Sequence, residues 1–222
     1  MTLQLNTQLL GDGLALLSNI DQSSIKAVFL DPQYRGVLDK LSYGNEGARQ
    51  KERSSLPQMS DNTIKSFIHK INYILKPSGH LFLWVDKFHL CTGLREWITP
   101  VGPLAIVDMV TWDKGRIGMG YRTRRRSEHC LIVQKAPYKA KGCWLDHDIP
   151  DVWGEQLQRD AGPPGCHQKP IGLTMRLIRA VTDPGDLVVD PAAGTFSTLH
   201  ACELTNRRFY GCDLARGSER LK

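Results

Sequence analysis

The chain has 222 residues, of which 41% are hydrophobic and 23% are charged, and its formal net charge is +6. This length suits one domain with a single core. No apolar run approaches the roughly 20 residues of a membrane span, and no export signal opens the chain, so a soluble, unexported protein is expected. The positive charge suits a polyanionic partner.

The cysteines and glycines exclude two common kinds of site. The six cysteines stand at positions 91, 130, 143, 166, 202 and 212, without a C-x-x-C pair or the spacing of metal ligands. We therefore expect reduced thiols, mostly in the core, and no metal. The G-x-G-x-x-G turn of dinucleotide oxidoreductases is also absent, which makes that class of enzyme a poor interpretation.

The first part of the chain alternates short apolar runs with turns. Residues 3–9 predict a strand, residues 13–18 a short helix and residues 27–30 a buried strand. Residues 35–61 are polar and too numerous for an ordinary connection, so we expect a mobile flap beside the site.

The middle of the chain continues the α/β alternation. Helical periodicity over residues 63–75 ends at a Lys-Pro-Ser-Gly stop signal. Strands are predicted at residues 80–85, 104–112 and 129–134, with a helix around residues 91–98.

The last part predicts irregular structure or short hairpins, then a helix and further strands. Residues 136–166 lack clear periodicity, whereas residues 169–182 read as a helix with Pro170 in its first turn. Residues 187–189 form another buried strand. The whole pattern predicts an α/β fold with a doubly wound, mostly parallel sheet.

Two short segments follow buried strands at opposite ends of the chain. Asp31-Pro32-Gln33-Tyr34 follows residues 27–30, and Asp190-Pro191-Ala192-Ala193-Gly194-Thr195-Phe196-Ser197-Thr198 follows residues 187–189. Ligands of doubly wound sheets bind outside the carboxyl ends of the strands. Both segments are therefore candidates for a single site.

These segments resemble the catalytic motif (D-P-P-Y) and the cofactor motif (D-P-F-x-G-S-G-T-T) of S-adenosylmethionine-dependent DNA amino-methyltransferases. Between and after them come residues 108–115, His167-Gln168-Lys169-Pro170 and residues 209–213, an order similar to the circularly permuted beta class. The resemblance implies a Rossmann-like methyltransferase fold. It also implies one catalytic domain over residues 1–222, with a short target-recognition insert at about 136–166.

The resemblance assigns catalysis to Asp31, Pro32 and Tyr34. The Asp31 carboxylate and the Pro32 carbonyl oxygen would accept the two N–H groups of the target amine, and Tyr34 would stack on the flipped base. Gln33 stands where the family usually has a second proline, which leaves the loop less rigid.

The cofactor implied by the resemblance is S-adenosyl-L-methionine. The residues expected to bind it are Asp12, Lys169, Asp190, Ala192, Gly194, Thr195, Ser197, Thr198 and Asp213. Asp213 would hold the ribose hydroxyls, Asp12 would lie near the adenine amine, and Lys169 beside the methionine carboxylate. Ala192 and Phe196 depart from the family's phenylalanine and glycine, and Phe196 is a candidate to face the sulfonium.

A basic, glycine-rich segment is the candidate DNA contact. It carries Lys114, Arg116, Arg122, Arg124, Arg125 and Arg126. Such a frame fits phosphate contact, and arginine also reads guanine edges. A solvated basic hairpin is the alternative, and His129 is interpreted as structural.

The leading hypothesis is a DNA adenine-N6 methyltransferase, because the family's cytosine-N4 members more often begin the catalytic motif with serine. Cytosine N4 is the runner-up, and a non-catalytic nucleic-acid-binding relative is the alternative from another class. DNA is the expected partner, with a possible homodimer and no membrane. The resemblance implies a bacterial or phage-encoded cytoplasmic protein, of the restriction-modification kind.

Overall fold

The computed structural model describes residues 3–33, 59–118, 122–156 and 168–214. The strands are β1 Leu9–Leu10, β2 Ile25–Leu30, β3 Leu75–Val85, β4 Leu104–Asp113, β5 Ser127–Lys135, β6 Val152–Gly154, β7 Leu187–Asp190 and β8 Arg208–Asp213. The helices are α1 Gly13–Leu17, α2 Asp61–Ile74, α3 Lys87–Thr92, α4 Arg95–Ile98, α5 Ile171–Val181 and α6 Ser197–Leu204, with a 3₁₀ turn at Thr99–Val101.

The eight described strands form one sheet in the order β1-β8-β7-β2-β3-β5-β4-β6. β5 runs antiparallel to both of its neighbours, β3 and β4, whereas all other described pairs are parallel. Seven strands therefore end at one common edge, which we call the carboxyl edge. The mostly parallel α/β fold predicted from the sequence is confirmed.

The sheet is covered on both faces, which explains the continuous apolar runs of its central strands. Val28 and Leu30 of β2 pack with α1, α2 and α4, whereas Ala27 and Phe29 pack with α5 and α6. Among the described helices, none is long and apolar enough to cross a membrane.

Several predicted boundaries move for local reasons. The strand predicted at residues 3–9 is reduced to Leu9–Leu10, because Asn6 adopts a φ of 57° and its side-chain oxygen accepts the amide of Phe209. The helix stop at residues 76–79 lies inside β3 as an irregularity beside β2, with Ser78 at a φ of 61°. The helix predicted around residues 91–98 is two helices, because Gly93 has a φ of +95°.

The described cysteines agree with the expectation in part. Cys130, Cys202 and Cys212 are buried free thiols, whereas Cys143 is half-buried and Cys91 is exposed. Position 166 lies outside the described residues. Within the described ranges, no group of histidine, cysteine and acidic side chains has the arrangement of a metal site.

Residues 136–145 pack at the end of the sheet opposite the carboxyl edge. Trp144 lies against His80 of β3, at a ring separation of 5.7 Å, and Leu145 donates to the carbonyl of Ala180 near the end of α5. Residues 146–151 lie beside β4, where the Asp151 carbonyl accepts the amide of Thr111 at 2.7 Å. β6 then returns toward the carboxyl edge beside β4. The last part of the predicted recognition insert, residues 157–166, lies outside the described residues.

Candidate active site

The carboxyl edge carries Asp31 directly after the central strand β2. Its carboxylate oxygen Oδ2 lies 2.9 Å from the Lys169 ammonium, and 43% of the side chain is exposed. Pro32 is buried, and the Gln33 carbonyl accepts the amide of Met59 at 2.6 Å. Tyr34 and most of the predicted flap at residues 35–61 lie outside the described residues.

Asp31 belongs to a set of four alternating charges, the lysine–carboxylate cluster of Asp31, Lys169, Glu128 and Lys114. The Lys169 ammonium also contacts Glu128 Oε2 at 2.8 Å, and the Lys114 ammonium donates to Glu128 Oε1. The exposed side-chain fractions of Lys169, Lys114 and Glu128 are 13%, 17% and 22%. Two positive and two negative charges make the cluster neutral.

Two tryptophan rings form the floor under the lysines. Lys169 Nζ lies 4.9 Å from the ring centroid of Trp84, and Lys114 Nζ lies 5.1 Å from that of Trp112. Trp112 pairs with Glu128 across β4 and β5, so both side chains project from the same face of the sheet. Cation–π contact and ion pairing therefore hold each lysine from two sides.

Lys169 reaches this cluster because the start of α5 is fixed from outside the helix. Pro170 provides no side-chain cap, but the Glu155 carboxylate beyond β6 accepts the amides of Gly172 and Leu173 at 3.0 and 3.2 Å. A Cβ atom on Gly172 would lie 2.7 Å from that carboxylate, so a larger residue here would require the Glu155 side chain to shift. The helix predicted at residues 169–182 thus begins two residues later, at Ile171, and Lys169 lies in the segment just before it.

The cluster fixes the protonation states of its members. Burial alone would raise the pKa of Glu128, but the ammonium groups of Lys169 and Lys114 outweigh it and lower that pKa. Burial would lower the pKa of Lys169, but Asp31 and Glu128 raise it. For Asp31, burial raises the pKa, Glu128 adds to the rise, and Lys169 opposes both. Lys169 therefore stays protonated at neutral pH and acts only as a donor.

The turn after β7 is held together by Asp190 itself. Its Oδ1 accepts the Ala192 amide at 3.2 Å and its Oδ2 accepts the Thr198 hydroxyl at 2.6 Å. Asp190, Ser197 and Thr198 are all buried. Asp190 and Thr198 thus use these side-chain groups to shape the turn, whereas Thr195 is half-buried at its surface.

Phe196 does not face the ligand side of this turn, and the expectation that it faces a sulfonium is wrong. The side chain is 2% exposed and lies edge-on to Phe209 at a ring separation of 6.2 Å. A φ of 58° at Phe196 turns the ring into the core beneath α6. Apolar burial explains this position.

Gly194 and Asp213 meet at the open side of the same turn. Asp213 ends β8, and its Oδ2 accepts the Gly194 amide at 3.0 Å. Gly194 has a φ of +56°, which favours glycine, and a Cβ atom there would meet nothing within 4 Å. A ligand can therefore approach this backbone closely.

Asp12 lies in a third loop that meets these two. Its Oδ1 accepts the Ala15 amide at 2.8 Å and caps α1, and the neighbouring Gly11 donates to the Asp213 carbonyl at 2.9 Å. A Cβ atom on Gly13 would lie 2.0 Å from the Pro191 carbonyl oxygen, so the loop packs tightly on the turn after β7. The structure thus brings Asp12, Gly194 and Asp213 together, whereas the Lys169 ammonium contacts the Asp31 carboxylate.

The six basic candidates for DNA contact divide into two groups. Arg116, Arg122, Arg124 and Arg126 are exposed, although Arg126 pairs with Asp113 at 2.6 Å. Lys114 instead points into the lysine–carboxylate cluster. Arg125 is half-buried near Asp86: burial would raise the pKa of Asp86, but His89 and the Arg125 guanidinium lower it.

His129 is 9% exposed, and its Nδ1 lies 3.1 Å from the Thr111 hydroxyl across the β4–β5 pair. These contacts agree with the structural interpretation of this histidine. Glu128, its neighbour, is the functional candidate that the sequence analysis missed. The available signal was a carboxylate two residues before the apolar run of residues 130–133 in β5.

The buried Asp190 carboxyl predicts a pH-dependent stability. Burial raises its pKa to about 7, from an ordinary value of 3.8, although Thr198 and the Ala192 amide oppose the rise. The folded protein keeps this proton when the unfolded chain has lost it, so stability falls as the pH rises from about 4 to about 7. Asp190→Asn removes this loss.

We expect the stability of Asp190→Asn relative to the unaltered protein to increase by roughly 1–3 kcal/mol between pH 5 and pH 8. Urea unfolding at the two pH values measures the difference. Asp21→Asn, in an exposed turn, is the matched control and should show no such trend. A pH-independent difference for Asp190→Asn would contradict the role of Asp190.

Comparison with known proteins identifies relatives across almost the whole chain. The model of the DNA methylase family, of the N6 and N4 type, matches residues 25–221. The chain is 53% identical over 209 residues to the type II methyltransferase M.HhaII of Haemophilus parahaemolyticus, covering 94% of this chain and 90% of that protein.

Solved structures share the fold at low sequence identity. The PvuII DNA methyltransferase, described as cytosine-N4-specific, superposes with a TM-score of 0.70 at 19% identity, covering 96% of this chain and 83% of that one. TTHA0409 of Thermus thermophilus, described as a putative DNA modification methylase and complexed with S-adenosyl-L-methionine, gives 0.63 at 19% identity, covering 93% and 86%. Together with the family match, these likenesses confirm the resemblance read from the motifs: the chain belongs to the N6/N4 DNA methylase family.

Proposed function

We propose that this methylase transfers a methyl group from S-adenosyl-L-methionine to the N6 amine of adenine in DNA. The observation that carries the proposal is the Asp31 carboxylate, held through Oδ2 by Lys169 at the carboxyl edge. Within the described ranges, no side chain donates to its other oxygen, Oδ1. Our proposal assigns Oδ1 to accept an N–H group of the target amine.

The chain's contribution to the chemistry is to orient this amine. The amine lone pair is delocalised into the base, and two acceptors on its N–H groups redirect it toward the incoming carbon. Asp31 Oδ1 and the Pro32 carbonyl oxygen are the proposed acceptors, and positioning of this kind contributes about 7–11 kcal/mol in favourable cases. Tyr34 is proposed to stack on the flipped base, a contact worth roughly 1–3 kcal/mol.

Charge and proton balance point to Asp31 as the acceptor. When bound, S-adenosyl-L-methionine supplies an electrophilic methyl group whose bond to sulfur breaks as the bond to nitrogen forms. The nitrogen becomes positive, the Asp31 carboxylate stabilises that charge, and one N–H proton is released toward Oδ1. Lys169 cannot take this proton, because its amine is already protonated.

The proposed cofactor site is the meeting point of Asp12, Gly194 and Asp213. Its open backbone at Gly194 and its acid at the end of β8 suit the ribose and methionine parts of the ligand. Ala192 and Thr195, both half-buried, line the same turn. The fold shared with a methylase complexed with S-adenosyl-L-methionine supports this assignment.

The target base has one alternative with specific support. The PvuII enzyme with the same fold is cytosine-N4-specific, and both targets are exocyclic amines served by the same geometry. The aspartate that begins the catalytic motif favours adenine by family resemblance. A non-catalytic relative is disfavoured, because the lysine–carboxylate cluster orients the Asp31 carboxyl group at the carboxyl edge.

The decisive experiment is methylation of DNA with labelled cofactor, followed by mass spectrometry of the digested nucleosides. We expect N6-methyladenine from the unaltered protein and at least an approximately 100-fold loss of rate for Asp31→Asn, which cannot stabilise the positive nitrogen. Asp108→Asn, at an exposed position of β4, is the control. Detection of N4-methylcytosine instead would identify cytosine as the target base. A complete lack of methyl transfer would favour the non-catalytic alternative.

Cofactor binding gives a separate prediction. Asp213→Asn should weaken S-adenosyl-L-methionine binding by about 10-fold or more, because a carboxylate that accepts from ribose hydroxyls makes stronger, charge-assisted hydrogen bonds than an amide. Isothermal calorimetry measures this affinity without DNA. Equal affinity in the variant would remove Asp213 from the site, and Asp31→Asn should retain the cofactor.

The DNA surface is tested at its exposed arginines. Replacing Arg116 and Arg122 by alanine should weaken binding to all sequences and flatten the plot of log affinity against log salt by up to about 2. The matched control is Lys141→Ala with Arg179→Ala, which removes the same charge at the opposite end of the sheet. An equal effect of the two double variants would assign the binding to net charge alone. A homodimer and a cytoplasmic location stay as expectations of the family.

A further inference from the structure

We propose that Glu128 is a positioning residue for methyl transfer, which shares the Lys169 ammonium with Asp31 and so keeps Asp31 Oδ1 open for the target amine. The inference rests on the proposed function, because it assigns Glu128 a role through Asp31. Glu128 itself does not touch the reacting atoms.

The contacts of Lys169 support the sharing of its ammonium group between Asp31 and Glu128. An ammonium group has three donors, and here two of them point at carboxylates on different strands: Asp31 Oδ2 at 2.9 Å and Glu128 Oε2 at 2.8 Å. Trp84 lies under the ammonium at 4.9 Å. Without Glu128, the ammonium would have a single anionic partner and would turn to engage both oxygens of Asp31.

The charge balance leads to the same conclusion. The ionisable groups around Glu128 are Lys169 before α5, Lys114 after β4, Asp31 after β2, and its neighbour His129. Loss of the Glu128 charge changes the lysine–carboxylate cluster from neutral to +1. Two ammonium groups would then act on Asp31 alone, making its carboxylate a weaker acceptor for the protons of the amine.

A purely structural role would be different. Glu128 would then serve only to neutralise two partly buried lysines, and its loss would lower the stability of the fold without lowering kcat per folded molecule. The value of kcat per folded molecule, taken together with the titration of Asp31, separates these possibilities, because neither quantity depends on the amount of folded protein.

The test is Glu128→Gln, which keeps the shape of the side chain and removes its charge. We expect kcat to fall at least about 10-fold, with KM for S-adenosyl-L-methionine and DNA changed less than about 3-fold. The acid limb of the pH–kcat profile should move to lower pH, because removal of the Glu128 charge lowers the pKa of Asp31. Glu128→Asp, which keeps the charge, should restore the position of this limb.

Asp186→Asn is the matched control. It breaks an ion pair with Lys26, of 2.8 Å, in the turn before β7, away from the carboxyl edge. Both kcat per folded molecule and the acid limb should stay at their original values. Thermal unfolding of each variant gives the folded fraction used for this comparison.

A second measurement does not depend on activity. Carbon-13 labelling of the aspartate carboxyls, with the Asp31 signal assigned by its loss in Asp31→Asn, follows the titration of Asp31 directly. Glu128→Gln should shift this titration to lower pH. An unchanged or raised value would overturn the proposal, as would a kcat unchanged or lowered without a shift of the acid limb. A lack of transfer by the unaltered protein would refute the proposed function, whereas transfer with an unmoved Asp31 titration in Glu128→Gln would refute only the role of Glu128.

Discussion

The paired contact of the Lys169 ammonium with two carboxylates is the interaction on which the site depends. It joins the approach to α5 to the end of β2 and to the start of β5. Desolvating an ammonium costs several kcal/mol unless anions compensate, and two carboxylates around one lysine would in turn leave an excess negative charge. Lys114 removes that excess. The start of α5, Asp31 and the first residue of the basic segment, Lys114, are thereby fixed relative to one another.

Among the described strands, β5 alone runs antiparallel to its neighbours, and its direction makes this contact possible. In a parallel sheet only the carboxyl ends of strands reach the ligand edge, and these supply Asp31, Asp190 and Asp213. β5 runs the other way, so its second residue, Glu128, lies at the same edge. Because β5 is reversed, the first residues of this strand contribute the Glu128 carboxylate to a site whose other acids follow the carboxyl ends of strands.

The order of helices and strands, and the acids at strand ends, could be predicted from the sequence, because they depend on local hydrophobic patterns and on the order of the motifs. Apolar runs followed by Asp31 and Asp213 placed both acids at strand ends, because buried parallel strands are uniformly apolar. The direction of a side chain within a loop depends instead on distant partners. Asp190 turns inward to Thr198, and Lys114 turns to Glu128, fourteen residues later. Glu128 was missed for the same reason, since its two lysine partners are neighbours only in the folded sheet.

The packing of residues 136–145 limits where the protein can contact the bases of DNA. They cover the end of the sheet away from Asp31, and the next residue, Asp146, pairs with Arg176 on the side of α5. In the proposed function a flipped base reaches Asp31, which requires the duplex to approach the carboxyl edge, where exposed Arg116 and Arg122 also lie beyond β4. Phosphate contacts there would orient the duplex, and base contacts must come from chain that borders the same edge. The described ends that flank it are Gln33 and Met59, joined by a hydrogen bond of 2.6 Å, which lie immediately beside Asp31. Of the predicted recognition insert, the described part that lies nearest this edge is β6, which pairs with the last residues of β4.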